Sequence, residues 1–245
     1  MSAFFDTLAT EFTKTFIRDG RWRIFLNGFK NTMIITLVAA VIGVAIGVIV
    51  TVIHSLAQSA RGKKKHKGPQ TYILLGVDRL FRAYIAVVRG TPLASQLTIM
   101  SFIILAGIVK DKVTVCCIAF GVNSGAYVSE VIRGGLSAVD FGQMEAGRSL
   151  GFSELATLRK IILPQAIKSI LPALCNEGIA ILKETSIVGL IAVTDLTRAS
   201  DLVRSRTLSP YFPLISVAIV YFILVFGLSS AVSRLERRMA QSDRH

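Results

Sequence analysis

Polar and acidic side chains stand inside apolar stretches at helical spacing in two places. Asn123, Tyr127 and Glu130 follow at i, i+4 and i+7, which puts them on one face of a helix. Glu177 and Glu184 are seven apart and also share a face, while the neighbouring Lys183 points elsewhere. Such groups are costly to leave unpaired in an apolar segment, so two uses stay open. They can pair with one another and lock helices together, or they can line a water-filled cavity for a charged or zwitterionic solute. The acidic residues would suit a cationic group on such a solute.

No motif for covalent chemistry accompanies them. The sequence has no G-x-x-x-x-G-K-[ST] with which to cradle nucleotide phosphates, no Ser/His/Asp constellation and no metal motif. Cys116, Cys117 and Cys175 lack C-x-x-C spacing and read as small buried hydrophobes, and His54, His66 and His245 are scattered. Energy-requiring work would therefore fall to another chain.

The elements that must hold these residues are long and apolar. The chain has 245 residues, 52% of them hydrophobic, and a mean hydropathy of +0.60. Residues 31–53, 91–109, 113–129 and 207–233 carry no charge. Roughly 20 residues at about 1.5 Å rise cross a bilayer core, so each is a candidate transmembrane helix, the third being short. A fifth, 173–194, carries Glu177, Lys183 and Glu184, each costing about 2.5–3.5 kcal/mol at mid-membrane, so its charges must face protein or water or lie near its ends. The reading is an all-α membrane protein with spans at about 31–53, 91–109, 113–129, 173–194 and 211–232. Residues 1–30 form an external segment, 31–235 the transmembrane domain and 236–245 a cytoplasmic tail. Lys and Arg gather in 55–90, 131–175 and after 233, which favours an external N-terminus and an internal C-terminus.

A net charge of +13 could suggest nucleic acid, but its placement does not. The run RGKKKHKG at 61–68 directly follows the first span, where it suits a topology anchor, a solvated loop or a lipid or regulatory contact. Residues 1–30 contain Asp6, Glu11 and Asp19 and no long apolar stretch, so the first span is expected to direct insertion. Ala39, Gly43 and Gly47 lie four apart on one face and allow close helix approach. The stretch DRLFRAYIAVVRGTPL, 78–93, mixes Asp78, Arg79 and Arg82 with apolar residues and reads as an interfacial helix. Gly90 would break it, Thr91 would cap the next helix and Pro92 would open it.

One charged segment interrupts this pattern, EAGRSLGFSELATLRKIILP at 145–164. Its Glu145, Ala146, Gly147, Gly151, Ile161, Leu163 and Pro164 closely resemble the EAA loop of permease subunits of ATP-binding-cassette importers. NTMIITLVAAVIGVAIG at 31, VVRGTPLASQL at 87, GAYVSEVIRGGLSAVDFGQMEAGRSLGFS at 125 and LKETSIVGLIAVTDLTRAS at 182 resemble the polar amino acid subfamily. The resemblance covers about 30–235. It implies a type I ABC importer permease fold in the bacterial inner membrane, half of a homodimeric or heterodimeric pore for polar L-amino acids. Two ATPase subunits, which bind ATP and Mg, and an external solute-binding protein would complete the importer. This chain would hold no cofactor and catalyse no covalent step.

In that family the loop, here about 137–172, forms two short helices, the first docking on the ATPase. Gly151 is placed for the sharp turn, Ser153 for the cap of the second helix with Glu154 near its positive end, and Pro164 for its limit. Gly147 stands where alanine is commoner and is expected to loosen the first short helix. The resemblance leaves the particular amino acid open. Asn123, Tyr127, Glu130, Glu177 and Glu184 are the candidate cavity residues. Two rivals are a secondary transporter, which would usually show internal repeats, and a membrane subunit that transports nothing.

Overall fold

The structure, a computed structural model, describes residues 2–62 and 68–241. The lysines and His66 of the basic run therefore lie outside the described residues. Every regular element among the described residues is helical: α1 (Ser2–Phe12), α2 (Trp22–Gly62), α3 (Pro69–Gly90), α4 (Leu93–Ile99), α5 (Lys112–Ser137), α6 (Gly142–Ser149), α7 (Glu154–Thr157), α8 (Leu163–Glu184), α9 (Leu196–Thr207) and α10 (Phe212–Gln241).

Three of them, α2, α5 and α10, are long and apolar enough to cross a membrane. Their surroundings differ. The most apolar part of α5 is 67% buried within the protein, that of α10 only 11%. An apolar helix left so open inside its own chain has lipid or another subunit as its surroundings. α2 has 41 residues, about 60 Å at 1.5 Å per residue, and so runs well beyond a bilayer core.

Within two expected spans the helices have other bounds. In 91–109 the helix covers only 93–104, α4 plus a wide turn at Met100–Ile104, and the chain then loosens towards Asp111. That is about 18 Å of helix, less than a bilayer core. Gly107 at φ +74° lies in the loosened stretch. In 173–194 the helix is α8, shifted towards the N-terminus, and a 3-10 stretch Thr185–Ile191 follows. Glu184 thus ends a helix, whereas Glu177 sits within one.

The chain divides into two compact units. The first takes Met1–Ala39, Ala94–Phe120 and Ile179–Ser229. Its core packs Phe25, Leu196, Ala199, Val203 and Val217, with Phe16, Phe29 and Tyr221 against them. Asp195, fully buried, accepts from the Thr197 and Arg198 amides at 2.8 and 3.0 Å and so caps α9, and the Tyr221 hydroxyl donates to it at 3.3 Å. Gly28 lies so close that a Cβ would stand 2.5 Å from the Asp195 carbonyl oxygen, which is why a glycine faces that turn. Asp111 caps α5 through the amides of Thr114 and Val113, and the Thr114 hydroxyl that it also accepts holds its carboxyl below the usual carboxylate range.

The second unit takes Ala40–Leu93, Gly121–Gly178 and Ser230–His245. The small-residue face of α2 does what its spacing allows: Gly43 lies against Ser124 and Gly47 against Val128 of α5, with no room for a Cβ at either. Thr51 adds a hydroxyl hydrogen bond to the Ser129 carbonyl at 3.2 Å. The interfacial helix expected from Asp78 onwards is the second half of α3. Its Asp78 is 1% exposed, accepts from Arg61 at 2.5 Å and forms an ion pair with Arg82 at 3.3 Å, while His54 shares a hydrogen bond with it at 2.7 Å. His54 is thus not isolated. α3 ends at Gly90, and the Thr91 hydroxyl donates back to the Val87 carbonyl at 2.8 Å.

Candidate functional site

The charged segment folds as a short helix, a glycine turn and a second helix start. α6 ends in a closed turn in which the Gly151 amide donates to the Arg148 carbonyl and the Phe152 amide to the Gly147 carbonyl, both at 3.0 Å. This double closure requires a left-handed residue just past the helix, and Gly151 has φ +83°. No atom lies within 4 Å of where its Cβ would be, so the glycine is needed for its backbone and not for space. Ser153 then caps α7, its hydroxyl accepting from the Ala156 amide at 3.3 Å, with Glu154 in the first turn.

Gly147 is buried, and a Cβ there would stand 2.4 Å from Cγ2 of Thr157. The glycine therefore brings α6 and α7 together. Pro164 does not limit the second helix. It lies inside a helix that continues from α7 through a wide turn at Leu158–Ile162 into α8. A proline lacks an amide donor, and the widened turn before it opens the hydrogen-bond ladder where that donor is missing. Ile161 lies in that wide turn and Leu163 just after it. The outer surface of the segment is apolar with charges between: Phe141, Leu150 and Leu155 are 76%, 76% and 73% exposed, and Glu145, Ala146 and Arg148 are exposed beside them.

The polar face of α5 is built differently from a bare acidic stripe. Glu130 accepts from Arg133, one turn on, at 2.5 Å, and lies 3.5 Å from Arg89 of α3. The Arg89 guanidinium also sits over the Tyr127 ring, 5.7 Å from its centre. Asn123, further along, is buried. Glu177 is half-buried on α8 and directed at Ser124, whose hydroxyl makes no well-formed hydrogen bond. Beside Glu130, His54, Gln58, Arg82, Ser129 and Arg133 line a cavity of about 250 Å³. The structure thus joins Tyr127 and Glu130 through Arg89, keeps Asn123 and Glu177 in the same unit, and places Glu184 in the other.

Residues 74–241 match the family described as the inner membrane component of binding-protein-dependent transport systems. The chain belongs to that family. It is a multi-pass membrane component with no enzymatic step of its own. A Rickettsia conorii protein named as a glutamine transport system permease is 42% identical over 164 residues, 66% of this chain and 75% of that one. The arginine transport system permease protein ArtQ of Bacillus subtilis is 38% identical over 162 residues, 65% and 74% of the two chains. A crystal structure of an amino acid ABC transporter with histidines superposes with a TM-score of 0.75 at 37% identity, over 88% of this chain and 94% of that one. The inward-facing MetNI methionine ABC transporter shares the fold, with a TM-score of 0.71 at 17% identity over 91% and 99% of the chains.

For this inner membrane component, Arg89 is the residue that sequence reasoning passed over. It stands in the R-G-T-P stretch, where Gly90 and Pro92 explain the break and the arginine draws no notice. The i, i+3 spacing of Glu130 and Arg133 was a legible sign that the carboxylate is compensated. The Asp78 cluster had only a weak sign, because His54 and Arg61 come from a different helix.

Proposed function

We propose that this chain is the permease subunit of an ATP-driven importer of polar L-amino acids in the bacterial inner membrane. It forms half of the pore, beside a second permease subunit, two ATPase subunits and an external solute-binding protein. ATP and Mg act on the ATPases, not here. The turn from α6 to α7 is the ATPase contact: Glu145, Ala146 and Gly147 lie on the docking helix, Gly151 sets its angle, and Ile161, Leu163 and Pro164 carry the motion into α8. ATPase closure would rock the two permease halves and expose a central site alternately to each side. Asn123, Tyr127, Glu130, Glu177 and Glu184 line or support that site.

The observation that carries the docking role is the exposure of three large apolar side chains, Phe141, Leu150 and Leu155, on a loop whose backbone is otherwise fixed by its own hydrogen bonds. Such a surface suits a protein groove better than water.

Five crossings with the N-terminus outside are supported by how the chain divides. It changes unit after Ala39, Leu93, Phe120, Gly178 and Ser229, and each change falls inside one of the five expected spans. The segments 55–90, 131–175 and the tail, which together hold 17 Lys and Arg against 10 in 1–30, 110–112 and 195–206, all belong to the unit that holds the loop.

The test is ATP hydrolysis by the reconstituted complex, with and without amino acid and binding protein. Stimulation by both supports an importer, while hydrolysis-independent uptake would make the chain a secondary transporter. No transport in either format would leave a non-transporting membrane subunit. Gly151→Val should insert normally, recover little ATPase on purification and lose the stimulation, because a β-branched residue in the left-handed turn costs on the order of 1–2 kcal/mol and re-aims α6. Glu145→Lys should act the same way and Lys64→Ala should not. Parental ATPase binding and transport by Gly151→Val would refute the coupling role of the turn.

A further inference from the structure

Where α2 ends against α3, one carboxylate serves more cations than it can neutralise. Asp78 holds Arg61 and Arg82, with His54 on its other oxygen. Arg79, the next residue, has no acidic partner among the described residues. Arg61, Arg79 and Arg82, with Leu75, surround an open cavity of about 420 Å³. Three guanidinium groups against one buried carboxylate leave a surplus of positive charge facing that space. Two of the three are held by Asp78, so the walls are set before anything binds.

The chemistry that fits is a phosphate group. Guanidinium planes bind phosphate oxygens in pairs, and a pocket with fixed arginines loses little freedom on binding. The pocket also stands close to the membrane: Arg61 is in the last turn of α2, about 12 Å along that helix beyond the end of its uncharged run at Ile53, and Tyr72, 64% exposed, lies seven residues before Arg79 on the same face of α3. Cations and an aromatic ring at the end of a membrane-crossing helix match a headgroup at the bilayer surface, whereas a free phosphate would use the arginines alone.

We propose that Arg61, Arg79 and Arg82 form a binding site for the phosphate of an anionic phospholipid. It lies in the unit of the coupling loop, hence in the inner leaflet if the topology above holds. A bound headgroup would tie the α2 and α3 ends to the membrane surface.

The full-length chain, purified in detergent, is titrated by microscale thermophoresis with dioctanoylphosphatidylglycerol, dioctanoylphosphatidylcholine and inorganic phosphate. The variant is Arg79→Gln, which leaves every partner of Asp78 in place, and the control is Lys112→Gln, an exposed cation at the start of α5. The anionic lipid should bind tightest, weaken with salt, and lose about tenfold in affinity in Arg79→Gln but not in Lys112→Gln. Unchanged affinity in Arg79→Gln would overturn the site, provided circular dichroism shows the parental helix content. Equal binding of the zwitterionic lipid would reduce it to apolar adsorption. Equal binding of inorganic phosphate would overturn the lipid as its occupant.

Discussion

Gly147 and Gly151 lie four residues apart and are glycines for opposite reasons. Gly151 needs a backbone conformation in open space, while Gly147 needs the absence of a Cβ against Thr157. Gly147→Ala therefore creates an overpacked contact worth about 1–3 kcal/mol against the α6 and α7 pairing, and it should reduce recovery of the ATPase. Thr157→Ala removes the Cγ2 and hydroxyl that would be struck, leaving only the Thr157 Cβ, at 3.1 Å from the new carbon. The double variant should thus recover most of the ATPase lost by Gly147→Ala alone, a non-additivity read by quantifying co-purified ATPase. Additive losses would mean that the two residues do not share this contact. The left-handed turn was legible in the sequence because a glycine set between two helix signals ends the first helix most easily in that conformation. The Gly147 contact was not, since its partner is fixed only once the turn has closed.

The polar residues on α3, α5 and α8 separate by their partners. Glu130 has Arg133 and Arg89, all of them partly exposed, and such pairs contribute at most about 1 kcal/mol. Glu177 has no arginine or lysine partner among the described residues and keeps its capacity for an ammonium. Charge-assisted hydrogen bonds contribute about 1.5–3 kcal/mol, so Glu177→Gln should raise the KM for amino acid uptake about ten- to hundredfold. Glu130→Gln should change KM less than about twofold and mainly lower the Tm of the purified chain. The reverse order would make Glu130 the ligand and Glu177 the tie between helices, and unchanged kinetics with Glu130→Gln, Glu177→Gln and Glu184→Gln alike would remove the glutamates from the site. At this scale the sequence reads the helices better than their ends. α2 and α10 were plain from uninterrupted apolar runs. The end of α8 was not, because Thr185–Ile191 is as apolar as the helix before it and only its hydrogen-bond pattern changes. Pro164 misled in the other direction, since a wide turn upstream accommodates the missing donor.

At the scale of the molecule, two independent divisions of the chain coincide. Alternate connecting segments differ in their summed Lys and Arg, 17 in 55–90, 131–175 and the tail against 10 in 1–30, 110–112 and 195–206, and the division into compact units separates the same two sets. Membrane insertion acts on charge, whereas compact units arise from packing, so the agreement supports the topology proposed above. Cysteine accessibility tests it directly. Cys116 and Cys117 are buried and Cys175 is half-buried, so all three can be replaced by alanine to give a silent background. Ser149 on α6 and Ser205 on α9 are exposed, and each hydroxyl hydrogen-bonds only to a carbonyl within its own helix, which a thiol tolerates. In intact cells a membrane-impermeant maleimide should label Ser205→Cys and spare Ser149→Cys until the membrane is opened. With the purified ATPase bound, Ser149→Cys should become protected even in opened membranes, because it would lie beneath the docked surface. Labelling of Ser149→Cys from outside would invert the orientation and move the coupling loop to the wrong side for any cytoplasmic ATPase.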